Sequence, residues 1–373
     1  MMDNQSSASD KNNRYIDGIP IRNLWVLILY ASDSYKELGI DHVAVEDNPE
    51  DIPDLIAQIL CKRVKQRIQQ NLSYGYQTQF NVLDRVRGRI DLLNTERHML
   101  LERGKVACYF DELNVDTPRN RYVRAALKRI AKIVKNTKIA KKCRLLDMQL
   151  KHMGVSRVHV AHHKVPTERF GNHDIRDKPM VIAARLAFDI AFPTEDEGTI
   201  QLYQPNRAKK EWLRLLFQNG IAGLYEFTLP KESWKVTKGK EKKWQFITKK
   251  LDNDVHFPSM KTDIIIDNIR TKHRIVIDTK FSKITKIRSY PDREYNSLNS
   301  ENIYQIYAYL RSQESDGKET SINNNATGLL LYPLTDRDIN SYVVIQGHKI
   351  QFATVDLRLG VKEIKERLLH LVH

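Results

Sequence analysis

Only three cysteines, Cys61, Cys108 and Cys143, occur in 373 residues. No two form a Cys-x-x-Cys pair. That spacing argues against a zinc finger, and reads as small buried apolar side chains in a reduced compartment, the cytoplasm. No apolar run approaches the ~18 residues of a membrane span; the longest early one is Leu24 to Leu29. No Walker-type glycine-rich loop is present, so any nucleotide energy must come from another chain. The first fourteen residues lack a signal-peptide pattern, and 1–15 reads as a disordered tail. Acidic residues are also in short supply. Lys and Arg total 61 against 46 Asp and Glu, a net charge of +15, and the pI is about 9.5. The simplest polyanion to match that excess is nucleic acid. About six phosphate contacts would give log K against log salt a slope of roughly −5.

What is there reads as a mixed α/β chain of two domains. Helices are expected from Pro20 to Leu38 and from Pro53 to Asn71, on apolar residues spaced by three and four. Strands and turns follow from Tyr74 to Leu92, and another strand from Lys105 to Phe110. Thr117-Pro118 is a helix start, a capping threonine before a proline in the first turn. The helix after it carries Val123, Leu127, Ile130 and Val134 on one face. Arg121, Arg124, Lys128, Lys132 and Lys135 form a stripe on another, either solvated or a contact for DNA or a partner. His152, His159, His162, His163 and His173 fit no standard zinc spacing. A helix from Met180 to Phe192 precedes a boundary near Pro193 to Pro205. Beyond it the expected order is a helix at Lys209–Phe227 with Trp212, Leu215, Leu216 and Leu224 on its apolar side, and strands at Trp234–Val236 and Trp244–Ile247. Two strongly apolar strand runs, a helix at Glu301–Arg311, strands at Gly328–Tyr332 and Tyr342–Ile345, and a helix at Val361–Val372 complete it.

The two apolar runs, Thr262 to Asp267 and Arg274 to Lys280, hold Asp263, Asp278 and Lys280. Charges in such strands are costly without a partner or a metal. Alternation puts Asp278 and Lys280 on one face and Thr279 on the other. The connection Asn268 to His273 is short and polar, so the strands can pair antiparallel and bring Asp263 beside Asp278. Two carboxylates can hold Mg²⁺, and a lysine can orient its water or meet charge on a phosphate. An Asp-x-Lys tripeptide alone occurs by chance in many proteins. The second aspartate, the buried strands and a following helix with Gln305, able to bond phosphate or a metal-bound water, make phosphodiester hydrolysis the sharper reading.

Longer segments carry a resemblance. Pro20 to Leu24 with Leu29 to Ala31, Gly88 to Asp91, Phe110 to Thr117 with Asn120-Arg121, Leu215 to Gln218, Thr262 to Ile264, Ile277 to Lys280, Asn302 to Gln305 with Tyr309-Leu310, and Gly328 to Pro333 resemble, in order and spacing, the McrC family. Its members are the nuclease subunits of McrBC methylcytosine-dependent restriction systems. The resemblance implies an N-terminal mixed helix/strand partner-docking domain, residues 16–195, then a PD-(D/E)xK restriction-endonuclease-like domain, residues 196–373. It gives catalytic roles to Asp263, Asp278, Lys280 and Gln305, with Mg²⁺ on Asp263 and Asp278. Thr262 stands where the motif's proline would be. Gln218 stands where many nucleases of this fold place a metal-binding Glu on the first helix, with Glu211 and Glu226 nearby. The implied partners are double-stranded DNA and a hexameric McrB-like AAA+ GTPase that reads 5-methylcytosine and whose GTP hydrolysis this chain stimulates. Arg87, Arg89, Asn120 and Arg121 are candidates for reaching that ring. The competing expectation is a non-catalytic adaptor between motor and DNA.

Overall fold

The structure, a computed structural model, describes residues 15–32, 46–156, 170–171, 174–194, 205–242, 244, 256–290, 293–314 and 325–373. The chain divides into two compact units. One, the inserted unit, spans Asp51–Thr194. The other, the flanking unit, takes the described residues of Met1–Glu50 together with those of Glu195–His373. Among the described residues, no helix is long and apolar enough to cross a membrane.

Helix α1 (Ile21–Ala31), the first helix among the described residues, buries nine residues from Ile21 to Tyr30. A helix apolar nearly all round belongs in an interior. It belongs to the flanking unit, not to an N-terminal domain running from residue 16 as the sequence suggested.

The inserted unit begins with α2 (Ile52–Gln69), which buries Ile56, Leu60 and Val64 as the spacing anticipates. Strands β1 (Gly75–Leu83), β2 (Arg89–Ile90) and β3 (Val106–Asn114) form an antiparallel sheet in the order β1-β3-β2. Thr117 caps α3 (Pro118–Ile130), accepting from the Asn120 amide at 3.2 Å. That helix stops at Ile130, so Val134 and the last two lysines of the basic stripe lie beyond it. Arg121 is held by Asp116 at 2.9 Å, and the buried Arg124 by Asp147 at 2.8 Å. These two arginines are internal fixings, so the stripe is not a continuous cationic face. Helix α4 (Thr137–His152), capped by Asn136, was not anticipated. Its buried face is thin: Ile139, Ala140, Cys143 and Leu150. Helix α5 (Lys178–Ala191) packs on α2 and α3. Arg67 of α2 pairs with Asp177, just before α5, at 2.7 Å, and both are buried.

The flanking unit continues with α6 (Pro205–Thr228) and β4 (Trp234–Lys238). Then come β5 (Ile264–Asn268), β6 (His273–Thr279), a hairpin of β7 (Thr285–Tyr290) and β8 (Arg293–Leu298), and α7 (Ser300–Arg311). Strands β9 (Thr327–Pro333), β10 (Asn340–Ile345) and β11 (His348–Val355) and helix α8 (Val361–His370) finish it. Six strands make one mixed sheet, order β10-β11-β9-β6-β5-β4. The centre, β6-β9-β11, is parallel, and β5 runs antiparallel to β6. Parallel pairing of β6 and β9 requires a crossover, and α7 lies within it. Of the expected strand Trp244–Ile247, Trp244 is outside any strand and 245–247 lie outside the described residues. So do His159, His162, His163 and His173; among the described residues no group of three or more His, Cys, Asp or Glu is placed to hold a metal.

The attachment of α1 depends on two glycines of α6. A Cβ at Gly223 would lie 1.8 Å from the Tyr30 carbonyl oxygen, and one at Gly220 2.9 Å from the Leu27 side chain. Asn23, buried on α1, donates to the Leu357 and Leu359 carbonyls at 2.6 and 2.9 Å. The Tyr225 hydroxyl donates to the Leu368 carbonyl at 2.9 Å, joining α6 to α8. Leu213, Phe217, Ile221 and Leu224 are the buried side of α6; Leu215, expected there, is exposed.

Candidate active site

The site lies where β5 begins and β6 ends. Ile277 pairs with Ile264 in an antiparallel register. One step further, Asp263 meets the end of β6: its Oδ2 accepts from the Thr279 amide and from Thr279 Oγ1, each at 2.8 Å. These bonds fix the Asp263 carboxylate and leave its Oδ1 open to a ligand.

Asp278 is 2% exposed. Lys280 Nζ lies 2.8 Å from its Oδ2, yet that oxygen receives no bond of hydrogen-bond geometry. Burial pushes the Asp278 carboxyl up to about 6; Lys280 opposes the rise, and the nearby Asp263 adds to it. The lysine's own geometry is well defined. Its backbone amide donates to the Leu331 carbonyl at 2.9 Å, and its Nζ donates to Gln305 Oε1 at 2.8 Å. Gln305 Nε2 donates to the Tyr309 hydroxyl at 2.7 Å, which donates to the Lys261 carbonyl at 2.9 Å. The four residues singled out in the sequence are thus brought together. Gln305 holds the lysine, where a bond to phosphate or water was expected.

Helix α7 comes close because β9 carries Gly328, paired with Val276 in register. A Cβ there would lie 2.8 Å from the Ile306 side chain. Val276, Ile306, Leu310, Leu330 and Tyr332 form the core beneath the site.

Sequence reasoning missed Arg214. Glu211 holds its guanidinium above the usual range against the opposing effect of burial, and the charges of Asp263 and Asp278 add to the rise. Glu211 bonds Arg214 at 2.7 and 3.1 Å. The signal was available: Glu211, Arg214 and Gln218 fall on one face of α6 by three- and four-residue spacing. Neither glutamate near Gln218 is unengaged, since Glu226 pairs with Lys238 at 2.9 Å. Gln218 itself is half-buried.

Two carboxylates, one with a buried oxygen lacking a hydrogen bond, are a donor set that fits Mg²⁺, which commonly takes one or two carboxylates and completes its shell with water and phosphate oxygens. They offer no third acidic ligand.

The model of the family described as McrBC 5-methylcytosine restriction system component matches residues 6–174 and 216–333. The chain belongs to this McrBC family. It is 28% identical over 346 residues to the Type IV methyl-directed restriction enzyme EcoKMcrBC of Escherichia coli strain K12, covering 91% of this chain and 93% of that one. Two solved assemblies from Thermococcus gammatolerans are also similar. One, of McrB AAA+ hexamers with bound McrC, aligns with a TM-score of 0.43 at 14% identity, over 97% of this chain and 78% of that one. The other, the McrBC complex, gives 0.32 at 14% identity, over 44% and 50%. Membership of the McrBC family therefore rests on sequence.

Of the residues considered for reaching a partner, Arg87 and Arg89 are exposed. Arg87 stacks 4.0 Å over Phe110 and lies 3.6 Å from Glu112; Arg89 stacks 5.3 Å over Tyr109. Asn120 is buried and donates to the Ser73 and Val115 carbonyls. Asn120 is thus engaged within the inserted unit, and Arg121 is paired with Asp116.

Proposed function

We propose that this chain is the Mg²⁺-dependent endonuclease subunit of a 5-methylcytosine-directed restriction complex, cutting double-stranded DNA when assembled with an AAA+ GTPase whose GTP hydrolysis it stimulates. The observation that carries the reading is the juxtaposition of Asp263, Asp278, Lys280 and Gln305 at one end of the central sheet. Asp263 and Asp278 would hold the metal, whose chemistry there is to acidify water and offset phosphate charge. Asp263 presents one oxygen because Thr279 immobilises the other. Asp278 is ready to exchange its lysine contact for a harder cation. Lys280, released toward the scissile phosphate and steered by Gln305, orients the attacking water and meets charge on phosphorus. Tyr309 keeps Gln305 in the rotamer that serves the lysine.

The partner surface of this reading is the stretch of the inserted unit from β1 to Leu101, mostly the turns and short helices between β1 and β3. Tyr76, Val86, Leu92, Leu93, Met99 and Leu101 are all more than half exposed, and clustered exposed apolar side chains mark interaction sites. The family and the McrB AAA+ hexamers of the Thermococcus assembly support an AAA+ motor as the occupant.

The decisive experiment is cleavage of methylated DNA by the chain reconstituted with an AAA+ GTPase of this family, GTP and Mg²⁺. Asp263→Ala, Asp278→Ala and Lys280→Ala should each abolish cutting, by two orders of magnitude or more, and leave GTPase stimulation intact. Wild-type cutting by these variants would dismiss the site assignment. Intact GTPase stimulation with no Mg²⁺-dependent nicking by the wild-type chain would favour the adaptor instead.

A further inference from the structure

The inserted unit holds a second reactive arrangement, remote in chemistry from the acidic site. Cys61 on α2 and Cys143 on α4 are 82 residues apart, yet their sulfurs meet at 3.4 Å. Both are reduced, as is Cys108. The pair is not sealed off. Cys61 lines a groove of about 800 Å³ between α2 and α4, with Leu55, Ile59 and Ile139 on its walls and Lys62 and Lys142 among its polar groups. Cys143 lies behind Cys61, fully buried. Cys108 packs separately with Val106 and Phe110.

Two sulfurs in van der Waals contact across a helix pair need only a short approach to reach the bonded separation of about 2.05 Å. The pair is also polarised. The hydrogen bond with Cys143 pulls the Cys61 thiol below its ordinary value, burial opposes this, and the charge of Lys142 assists. The same bond, with burial, pushes the Cys143 thiol up. The sulfur nearer the groove is therefore the one favoured to ionise, and thiolate is the nucleophile.

We propose that Cys61 and Cys143 form a hydroperoxide-reactive dithiol site, in which Cys61 attacks, Cys143 resolves, and the product is a disulfide tying α2 to α4. In the first step the Cys61 thiolate attacks one peroxide oxygen. An S–O bond forms, the O–O bond breaks, and the departing hydroxide (or alkoxide) takes a proton to leave as water or alcohol. In the second, Cys143 sulfur attacks the sulfenic sulfur. The S–S bond forms, the S–O bond breaks, and hydroxide leaves with the Cys143 proton as water. The two thiols supply two electrons, and the peroxide accepts them. A thiol reductant restores the pair.

The test uses the full chain, reduced and then titrated with hydrogen peroxide. Thiols counted in denaturant should fall from the three present to one. Peptide mapping should show the Cys61 and Cys143 peptides joined with loss of two hydrogens, and dithiothreitol should reverse it. Cys108→Ser should behave as wild type. Cys143→Ser should stop at a sulfenic acid on Cys61, trapped by dimedone, and Cys61→Ser should give no cross-link. The mapping of wild-type protein needs no variant to fold. Three intact thiols at a dose that fully oxidises free glutathione, or a bond that involves Cys108 or a second chain, would overturn the proposal.

Discussion

At the scale of single residues, Asp278 is an acid kept where an acid is costly. Its carboxyl titrates at about 6 in the folded chain against 3.8 ordinarily. A group whose folded pKa is raised adds stability below the unfolded value and loses it as pH rises through the folded one. Without metal, the flanking unit should therefore weaken between pH 3.8 and about 6, by about 3 kcal/mol at roughly 1.4 kcal/mol per unit. Asp278→Asn should remove most of that slope, so that metal-free variant outlasts metal-free wild type in urea at neutral pH while cutting no DNA. Mg²⁺ should raise the unfolding midpoint of wild type and leave the variant unmoved; an equal rise in both would place the metal elsewhere. Gln305→Leu tests the lysine's guide. A hydrogen bond to a charged group is worth roughly 1.5–3 kcal/mol, so cleavage should fall at least about tenfold with DNA affinity unchanged.

Among the elements, Gly328 sets the distance between β9 and α7. Gly328→Val forces the Ile306 side chain away from the sheet and should carry Gln305 off Lys280. Overpacking of this kind costs typically 1–3 kcal/mol, and cutting should fall more than thermal stability does. A compensating truncation, Ile306→Ala on the same chain, should restore part of the activity. Strands β5 and β6 were legible because their β-branched runs alternate with charges at fixed parity, and a short turn dictated their pairing. Asp263, Asp278 and Lys280 followed from that register. Helix α4 was not legible, because its buried face is thin and its outside is crowded with lysine. Hairpin β7–β8 also escaped: its strand Thr285–Tyr290 alternates weakly, with Ile287 exposed. The face of α6 that carries Arg214 was legible from its spacing, but that this face comes within reach of the charges of Asp263 and Asp278 is a tertiary fact. The same holds for α1, whose destination is written in Gly220 and Gly223 nearly two hundred residues away.

Across the whole molecule, two units differ in what keeps them folded. The inserted unit depends on the buried Arg67–Asp177 pair; Asp177→Ala leaves a buried guanidinium uncompensated and should cost about 3–5 kcal/mol, seen as a lower first transition in calorimetry. Replacing both partners with apolar residues of similar volume should cost far less, which separates loss of packing from loss of charge balance. The flanking unit depends on α1. A fragment of residues 196–373 alone bares the Gly220 and Gly223 face of α6, and should be less stable and more prone to associate than the full chain. Adding a peptide of residues 15–32 in trans should recover part of that stability. The chain passes between the units twice, once out near Glu50 and once back near Glu195. A unit entered and left by separate strands of chain is tethered at two points, so severing one does not free it. A protease site built into 195–204 and cut should give two bands under denaturing conditions and one species on a native column, because α1 stays clasped to α6. Force applied to the inserted unit by a motor would likewise divide between two covalent paths, and α1 makes the first of them an anchor set in the core beside the sheet that carries Asp278.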